Sequence, residues 1–329
     1  MCAIFGVLDY QGKLTPAQRL ALFRELASAA QVRGTDASGV AYVHNGAVQI
    51  QKAPRPACKM RWRIHPQARY LMGHTRMTTQ GAASRNYNNH PFPGRAGGLS
   101  FALAHNGVLY NNSELRRTYR LPPTRIETDS YVAVQLLEQS GKLCPDCLCR
   151  VAEELEGSFT LTVLDVENTL YLVRGNNPLS VRLFPGLGCY LYASTDEILN
   201  MALAALGLSK LAYTEIPIGQ GDIMAINAQG QRTLTRFDDA RLRPQRYFFD
   251  WGWHEPAREP ERGDYLETVL DFAKRHGIPE GELRLLMDAG YDAMDLEELI
   301  YDDHFRELCV RKISLLCTYG SIHVPTIFV

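Results

Sequence analysis

The first residue in this chain that could do chemistry is Cys2, a cysteine directly behind the initiator methionine. Its thiol is either a small buried group at a strand start or a nucleophile waiting to become the N-terminus. Five polar clusters follow it: RGTDASG (33–39), GHTRMTTQG (73–81), NNHPF (88–92), AHNGVLYNN (104–112) and ETDSY (127–131). Within them, Arg76 offers a planar guanidinium fork that suits a carboxylate, or an ordinary ion pair at the surface or in the core. Asp129 offers a negative charge, or marks a helix N-terminus where the dipole favours one. Singly, each cluster is weak; HNG occurs twice, once as the plain hairpin turn His44-Asn45-Gly46. The order and spacing of all five behind a cysteine at position two is specific.

These residues need elements to hold them. Ala3 to Leu8 reads as a buried strand carrying Cys2 at its start. Thr15 followed by Pro16 predicts a helix start, because proline at the first helical position loses no hydrogen bond. Leu20, Phe23, Leu26 and Ala30 then make an apolar stripe at helical spacing. VAYVHNGAVQIQ alternates around Asn45-Gly46, a two-residue hairpin signal. KAPRPACKMRWR, with Lys52, Arg55, Lys59, Arg61 and Arg63, reads as a surface loop or short helix with a solvated basic face.

Further on, FALAHNGVLY reads as strand then turn, and ETDSYVAVQLLEQ as a helix with acidic residues in its first turn. GSFTLTVLD, TLYLVRG and GCYLYAS are short strands rich in β-formers, and GDIMAINAQGQRTLTRF is another hairpin. Many strands alternating with few helices predict α+β with packed sheets over residues 2–240. The run RPQRYFFDWGWHEPAREPERGDY reads as a linker or docking arm over 241–262. Residues 263–329 turn helical, in YLETVLDFAKRHG, EGELRLLMDAG and DLEELIYDDHFRELCVRKISLL.

Composition narrows the class. At 329 residues and 46% hydrophobic, the chain can bury a sizeable core in one large domain or two. Its 35 Lys+Arg nearly balance 36 Asp+Glu, so nothing electrostatic points to nucleic acid or an anionic membrane as partner. No apolar run reaches the roughly 18 residues that span a bilayer. Asp9 arrives too early for a secretory signal, and eight cysteines are too sparse for a disulfide framework, so a cytoplasmic location is expected. CPDCLC spaces Cys144, Cys147 and Cys149 like part of a zinc knuckle. Structural zinc wants four ligands in paired short spacings, and no matching second pair follows.

With these segments in place, the sequence resembles the class II glutamine amidotransferases, which are N-terminal-nucleophile hydrolases, and most of all the glutaminase domain of glucosamine-6-phosphate synthase. That family has RGYDSAG-like, HTRWATHG-like, HNG and ETDTE-like segments in this order. LVRGNNPLSVRL, YASTDEIL and GQGDIMAI resemble its downstream stretches, so the likeness covers roughly residues 2–236. It implies a four-layer αββα sandwich of antiparallel sheets, here with a small helical C-terminal extension.

The resemblance also implies roles. Met1 is removed because Cys2 is small, leaving a thiol and a free α-amine on one residue. The amine titrates near ~7.7–8.0 and the thiol near ~8.5, so the amine can act as the base, directly or through a water. Asn106 and the backbone N–H of Gly107 are the expected oxyanion donors. Arg76 and Thr79 take the carboxylate of L-glutamine, and Asp129 its ammonium group. His74, His90 and His105 are then satisfied structural histidines rather than metal ligands or bases. No metal or cofactor is expected.

Two residues depart from the family pattern: Met77 stands where it has tryptophan, and Gln80 where it has histidine. The expected activity is a stand-alone glutaminase that passes ammonia to a separate synthase protein, with YFFDWGW and the tail as the docking candidate. The rivals are a same-fold amidohydrolase acting on a γ-glutamyl conjugate, and a glutamine-sensing binding protein.

Overall fold

The computed structural model describes residues 2–242, 263–275, 277–289 and scattered helical positions between 291 and 314. They fall into two compact units, one up to residue 242 and one from 263 onward. The first runs β1 (Ala3–Leu8), α1 (Pro16–Ala29), β2 (Ala37–His44), β3 (Ala47–Ala53), β4 (Tyr70–Arg76), β5 (Phe92–Ala96), β6 (Leu99–Leu109), α2 (Asn112–Thr118), α3 (Tyr131–Gln139) and α4 (Pro145–Glu154). It continues with β7 (Gly157–Asp165), β8 (Leu170–Arg174), β9 (Ser180–Phe184), β10 (Cys189–Ala193), α5 (Asp196–Ala205), β11 (Thr214–Glu215), β12 (Asp222–Ile226) and β13 (Arg232–Arg236).

The strands form two antiparallel sheets, ordered β11-β9-β10-β1-β4-β2-β3 and β13-β12-β8-β7-β6-β5. Alternation sorts their side chains into layers. Ile4 and Leu8 of β1, with Tyr70 and Met72 of β4, meet Ala102, Ala104, Leu170, Leu172 and Met224 of the other sheet, filling the gap between the two. The opposite face of β1 (Ala3, Phe5, Val7) packs against Leu22, Phe23 and Leu26 of α1 and Ile198 and Leu199 of α5. On the second sheet, Leu103, Phe159, Leu161 and Val163 pack against Val132, Leu136, Leu148 and Val151 of α3 and α4. The architecture is thus α+β in four layers, helices outside and sheets within.

Local signals account for several elements. Thr15 caps α1: its hydroxyl accepts from Gln18 N at 3.2 Å, and the Gln18 side chain accepts from Thr15 N at 2.8 Å, a reciprocal box that satisfies two otherwise orphaned donors. The β2–β3 turn has Asn45 at φ 50° and Gly46 at φ 66°, the left-handed pair that a two-residue hairpin requires. KAPRPACKMRWR is mostly loop with one 3-10 turn, Ala57–Lys59. Its basic face is not wholly solvated, because Lys52 turns inward and donates to the carbonyls of Asn89 and Pro91.

Two other expectations change. The HNG at 105–107 is no turn: β6 runs through it to Leu109, with Gly107 paired to Phe159 of β7. Helix α3 starts at Tyr131 with no acid in its first turn. Asp129 lies before it because its carboxylate accepts from the Leu109 backbone N–H at 2.6 Å instead of capping the helix.

In the second unit, α6 (Gly263–Arg275) and α7 (Glu280–Asp288) bury Val269, Ala273, Leu283 and Leu286 together with Leu296, Leu299 and Ile300. Arg306 donates to Glu282 at 3.3 Å and to the Leu299 carbonyl at 3.1 Å. The YFFDWGW segment and most of the 241–262 arm lie outside the described residues. Among the described residues no helix is long and apolar enough to cross a membrane.

Candidate active site

Cys2 shares the face of β1 that carries Ile4, so its side chain enters the gap between the sheets. Ala3 pairs with Thr75, and one further step of that register sets Cys2 beside Arg76, the last residue of β4. The Cys2 carbonyl accepts from Arg33 Nε at 2.9 Å, and Sγ donates to the Met77 carbonyl at 3.5 Å. On the second sheet, Asn106 alternates with Ala102 and Ala104 and points into the same gap. A hydrogen bond between His74 Nε2 and the His105 carbonyl, at 3.0 Å, joins the sheets one residue from Asn106.

Asn106 is fully buried, and neither its side-chain oxygen nor its nitrogen has a hydrogen-bond partner among the described residues. An unsatisfied buried amide costs about 1–3 kcal/mol for each polar group, so a fold keeps one only where something compensates. Its backbone is well held: the Asn106 carbonyl accepts from Asn177 Nδ2 at 2.9 Å, and the Asn177 carbonyl accepts from Thr160 Oγ1 at 2.9 Å. Gly107 follows at φ 137°, where a Cβ would lie 2.0 Å from the Ser158 carbonyl oxygen. Only glycine fits there.

Arg76 is buried, and three of its five N–H groups are used. Nη1 donates to Asn89 Oδ1 at 2.7 Å, and Nη2 to the carbonyls of Gln80 and Gly81 at 2.5 and 2.6 Å. The guanidinium therefore shapes the 77–81 loop, and its other two N–H groups have no acceptor among the described residues. Thr79 lies on that loop, half-buried. Asp129 is buried, with Leu109 N and Ser130 Oγ (3.3 Å) as donors to its carboxylate. Cys2, Arg76 and Asp129 sense one another's charge: burial pushes the Cys2 thiol up, Arg76 pulls it down and Asp129 raises it again. The thiol is therefore neutral near pH 7 and needs a base to ionise it.

The three histidines are poorly suited to be that base. Burial lowers all of them, His74 to about 3, with the positive charges of Arg76 and Lys52 adding to the effect on His74 and His90. His105 bonds Ser130 Oγ at 2.7 Å and the Ser158 carbonyl at 3.3 Å. The expectation that all three are satisfied does not hold, because neither ring nitrogen of His90 has a partner among the described residues, nor does His74 Nδ1. The reason is its aromatic surroundings: His90 lies 4.3 Å from the tilted His74 ring and 4.4 Å, edge-on, from Phe92, so rings rather than acceptors flank it.

The structure thus places Cys2, Arg76 and Asn106 on the inter-sheet faces, with Gly107 and Asp129 beside them and Thr79 on the adjoining loop. It adds supports that motif reading passed over: Arg33 on the Cys2 carbonyl, Asn89 on Arg76, and Asn177 on Asn106. Each lies inside or beside a quoted segment (RGTDASG, NNHPF, LVRGNNPL), which was the available signal. The CPDCLC cysteines sit elsewhere, on the first turns of α4.

Residues 61–213 match the model of a glutamine amidotransferase domain. The chain is 32% identical over 194 residues to the isomerizing glutamine–fructose-6-phosphate aminotransferase of Geobacillus kaustophilus, covering 56% of this chain and 31% of that protein. It is 31% identical over 226 residues to the Staphylococcus aureus enzyme of the same name, covering 66% and 34% respectively. The chain therefore spans about a third of the length of these relatives. Among solved structures, the glutamine phosphoribosylpyrophosphate amidotransferase of B. subtilis superposes with a TM-score of 0.55 at 19% identity, over 72% of this chain and 49% of that one. An allosteric regulatory enzyme of purine biosynthesis gives 0.58 at 21%, with the same coverage. These two support the fold.

Proposed function

We propose that this chain is a glutamine amidotransferase of class II type, a reading its family-model match and aminotransferase relatives support, and that it hydrolyses L-glutamine to glutamate and ammonia with Cys2 as nucleophile. Removal of Met1 frees the α-amine of Cys2. That amine takes the thiol proton, and the thiolate attacks the side-chain amide carbon of glutamine. The charge that develops on the amide oxygen is met by the Asn106 side-chain amide and the Gly107 N–H. The ammonium on Cys2 returns its proton to the leaving nitrogen and ammonia departs, leaving a thioester on Cys2. Water, deprotonated by the same amine, then releases glutamate.

Each substrate charge has a counterpart. The two unused N–H groups of Arg76, with Thr79, receive the α-carboxylate, and Asp129 receives the α-ammonium. The observation that carries the proposal is the buried Asn106 amide, without a partner among the described residues, on the inter-sheet side to which strand alternation also assigns Cys2. An oxyanion donor has to be held ready, unpaired and dry. The neutral, buried thiol and the protonation-resistant histidines support an amine as the base.

Ammonia protonates and escapes in water, so coupled enzymes shield its transfer. We assign the acceptor to a separate synthase protein. The decisive experiment is intact mass spectrometry before and after the glutamine-analogue electrophile diazo-oxo-norleucine. We expect material lacking Met1, one adduct on Cys2, and no ammonia release from Cys2→Ala. Full turnover by protein that retains Met1, or by Cys2→Ala, would overturn the mechanism.

A further inference from the structure

Helix α4 opens on the run Cys144-Pro145-Asp146-Cys147, with Cys144 at the cap position and Cys147 on the first turn. The two sulfurs are in contact, Cys144 Sγ donating to Cys147 Sγ at 3.1 Å. Arg150, one turn on, places Nη2 3.2 Å from Cys147 Sγ. Cys147 is buried and Cys144 part-exposed, so of the two residues Cys144 is the more open to solvent. Cys149 is separate, directed at the Arg236 carbonyl 3.7 Å away. The pair has no part in the glutamine chemistry.

We propose that Cys144 and Cys147 are a redox-active dithiol that closes to a disulfide by exchange with a low-molecular-weight disulfide of the glutathione class. Closure from 3.1 Å to the bonded separation of ~2.05 Å moves the sulfurs by only about 1 Å. Burial opposes charge on Cys147, yet the bonds donated by Cys144 and Arg150 outweigh it and pull this thiol below its ordinary range. Burial and the same sulfur contact raise the Cys144 thiol, so at rest the charge sits on Cys147, and Cys144 reacts when the Cys147 thiolate takes its proton. The Cys144 thiolate attacks one sulfur of the external disulfide, forming a mixed disulfide and expelling one thiolate. Cys147 then gives its proton to that thiolate and attacks Cys144 Sγ, releasing the second, which is protonated from solvent. Two electrons pass from the cysteine pair to the external disulfide, yielding one internal disulfide and two small thiols.

The test uses the full reduced chain equilibrated in buffers of varied reduced-to-oxidised glutathione ratio. Free thiols are trapped with iodoacetamide and peptides mapped by mass spectrometry. We expect a 144–147 disulfide, reversed by dithiothreitol, at ratios where exposed Cys58 is still largely a free thiol. Cys147→Ser should stop at glutathione held on Cys144, and Arg150→Gln should slow closure several-fold. Alkylation of both cysteines as free thiols under conditions that glutathionylate Cys58 would overturn the proposal. A bridge from either cysteine to Cys149 would do the same.

Discussion

At the scale of single residues, the site is divided between groups that hold the backbone and groups left unpaired. Asn106 is the clearest of the second kind. Because its amide makes no hydrogen bond among the described residues, removing it breaks no bond of the fold. Asn106→Ala should therefore lower kcat for glutamine hydrolysis by about 10²–10³ while the thermal midpoint stays level or rises slightly. A marked fall in melting temperature with kcat retained would reassign Asn106 to structure. Motif reading singled out Cys2, Arg76, Asn106 and Asp129 because their clusters are ordered along the chain. It passed over Arg33, Asn89 and Asn177 because their contacts join positions 31, 13 and 71 residues apart. Lys52 was misread as solvated, since nothing in KAPRPACKMRWR foretells the carbonyls that turn it inward.

At the scale of elements, the tripeptide His-Asn-Gly decides how far local sequence reaches. At 44–46 it is the hairpin turn expected of it; at 105–107 the same three residues lie within a strand. Both glycines have positive φ, 66° and 137°. What separates them is pairing with β7, a strand some fifty residues on, which no local rule contains. Gly46 has open space around a Cβ, whereas at Gly107 the Cβ would strike the Ser158 carbonyl and the Asn177 amide. Gly107→Ala should thus cost about 1–3 kcal/mol or more, from backbone strain alone and before the clash is relieved. Gly46→Ala should cost roughly 1 kcal/mol, from its φ. Urea unfolding of both variants checks this; equal losses would mean that β6 relaxes freely at Gly107. By contrast, the Thr15-Pro16 helix start and most strands were legible, because caps and alternation are local signals.

At the scale of the whole molecule, three buried histidines link stability to pH. Their folded pKa values lie below the ordinary value near ~6.5, with His74 at about 3. Below pH ~6.5 the unfolded chain binds protons that the folded one refuses, so stability is lost as pH falls from there toward 3. Each such histidine contributes up to about 1.4 kcal/mol per pH unit. Denaturant unfolding at pH 7, 6, 5 and 4.5 should show this decline, with a shallower slope for His90→Gln. An identical slope in that variant would remove His90 from the account. The four-layer order itself was read through family likeness rather than periodicity, since alternation shows that a strand has two faces but not which sheet each face meets.

Because Cys2 rides on one sheet and Asn106 on the other, the proposed mechanism makes the spacing between attacking atom and stabilising donor a property of the stacking and of neither sheet alone. Any sliding of one layer over the other becomes misalignment at the reacting carbon, so the apolar filling between them, from Met72 to Ala104, works as a gauge block for catalysis.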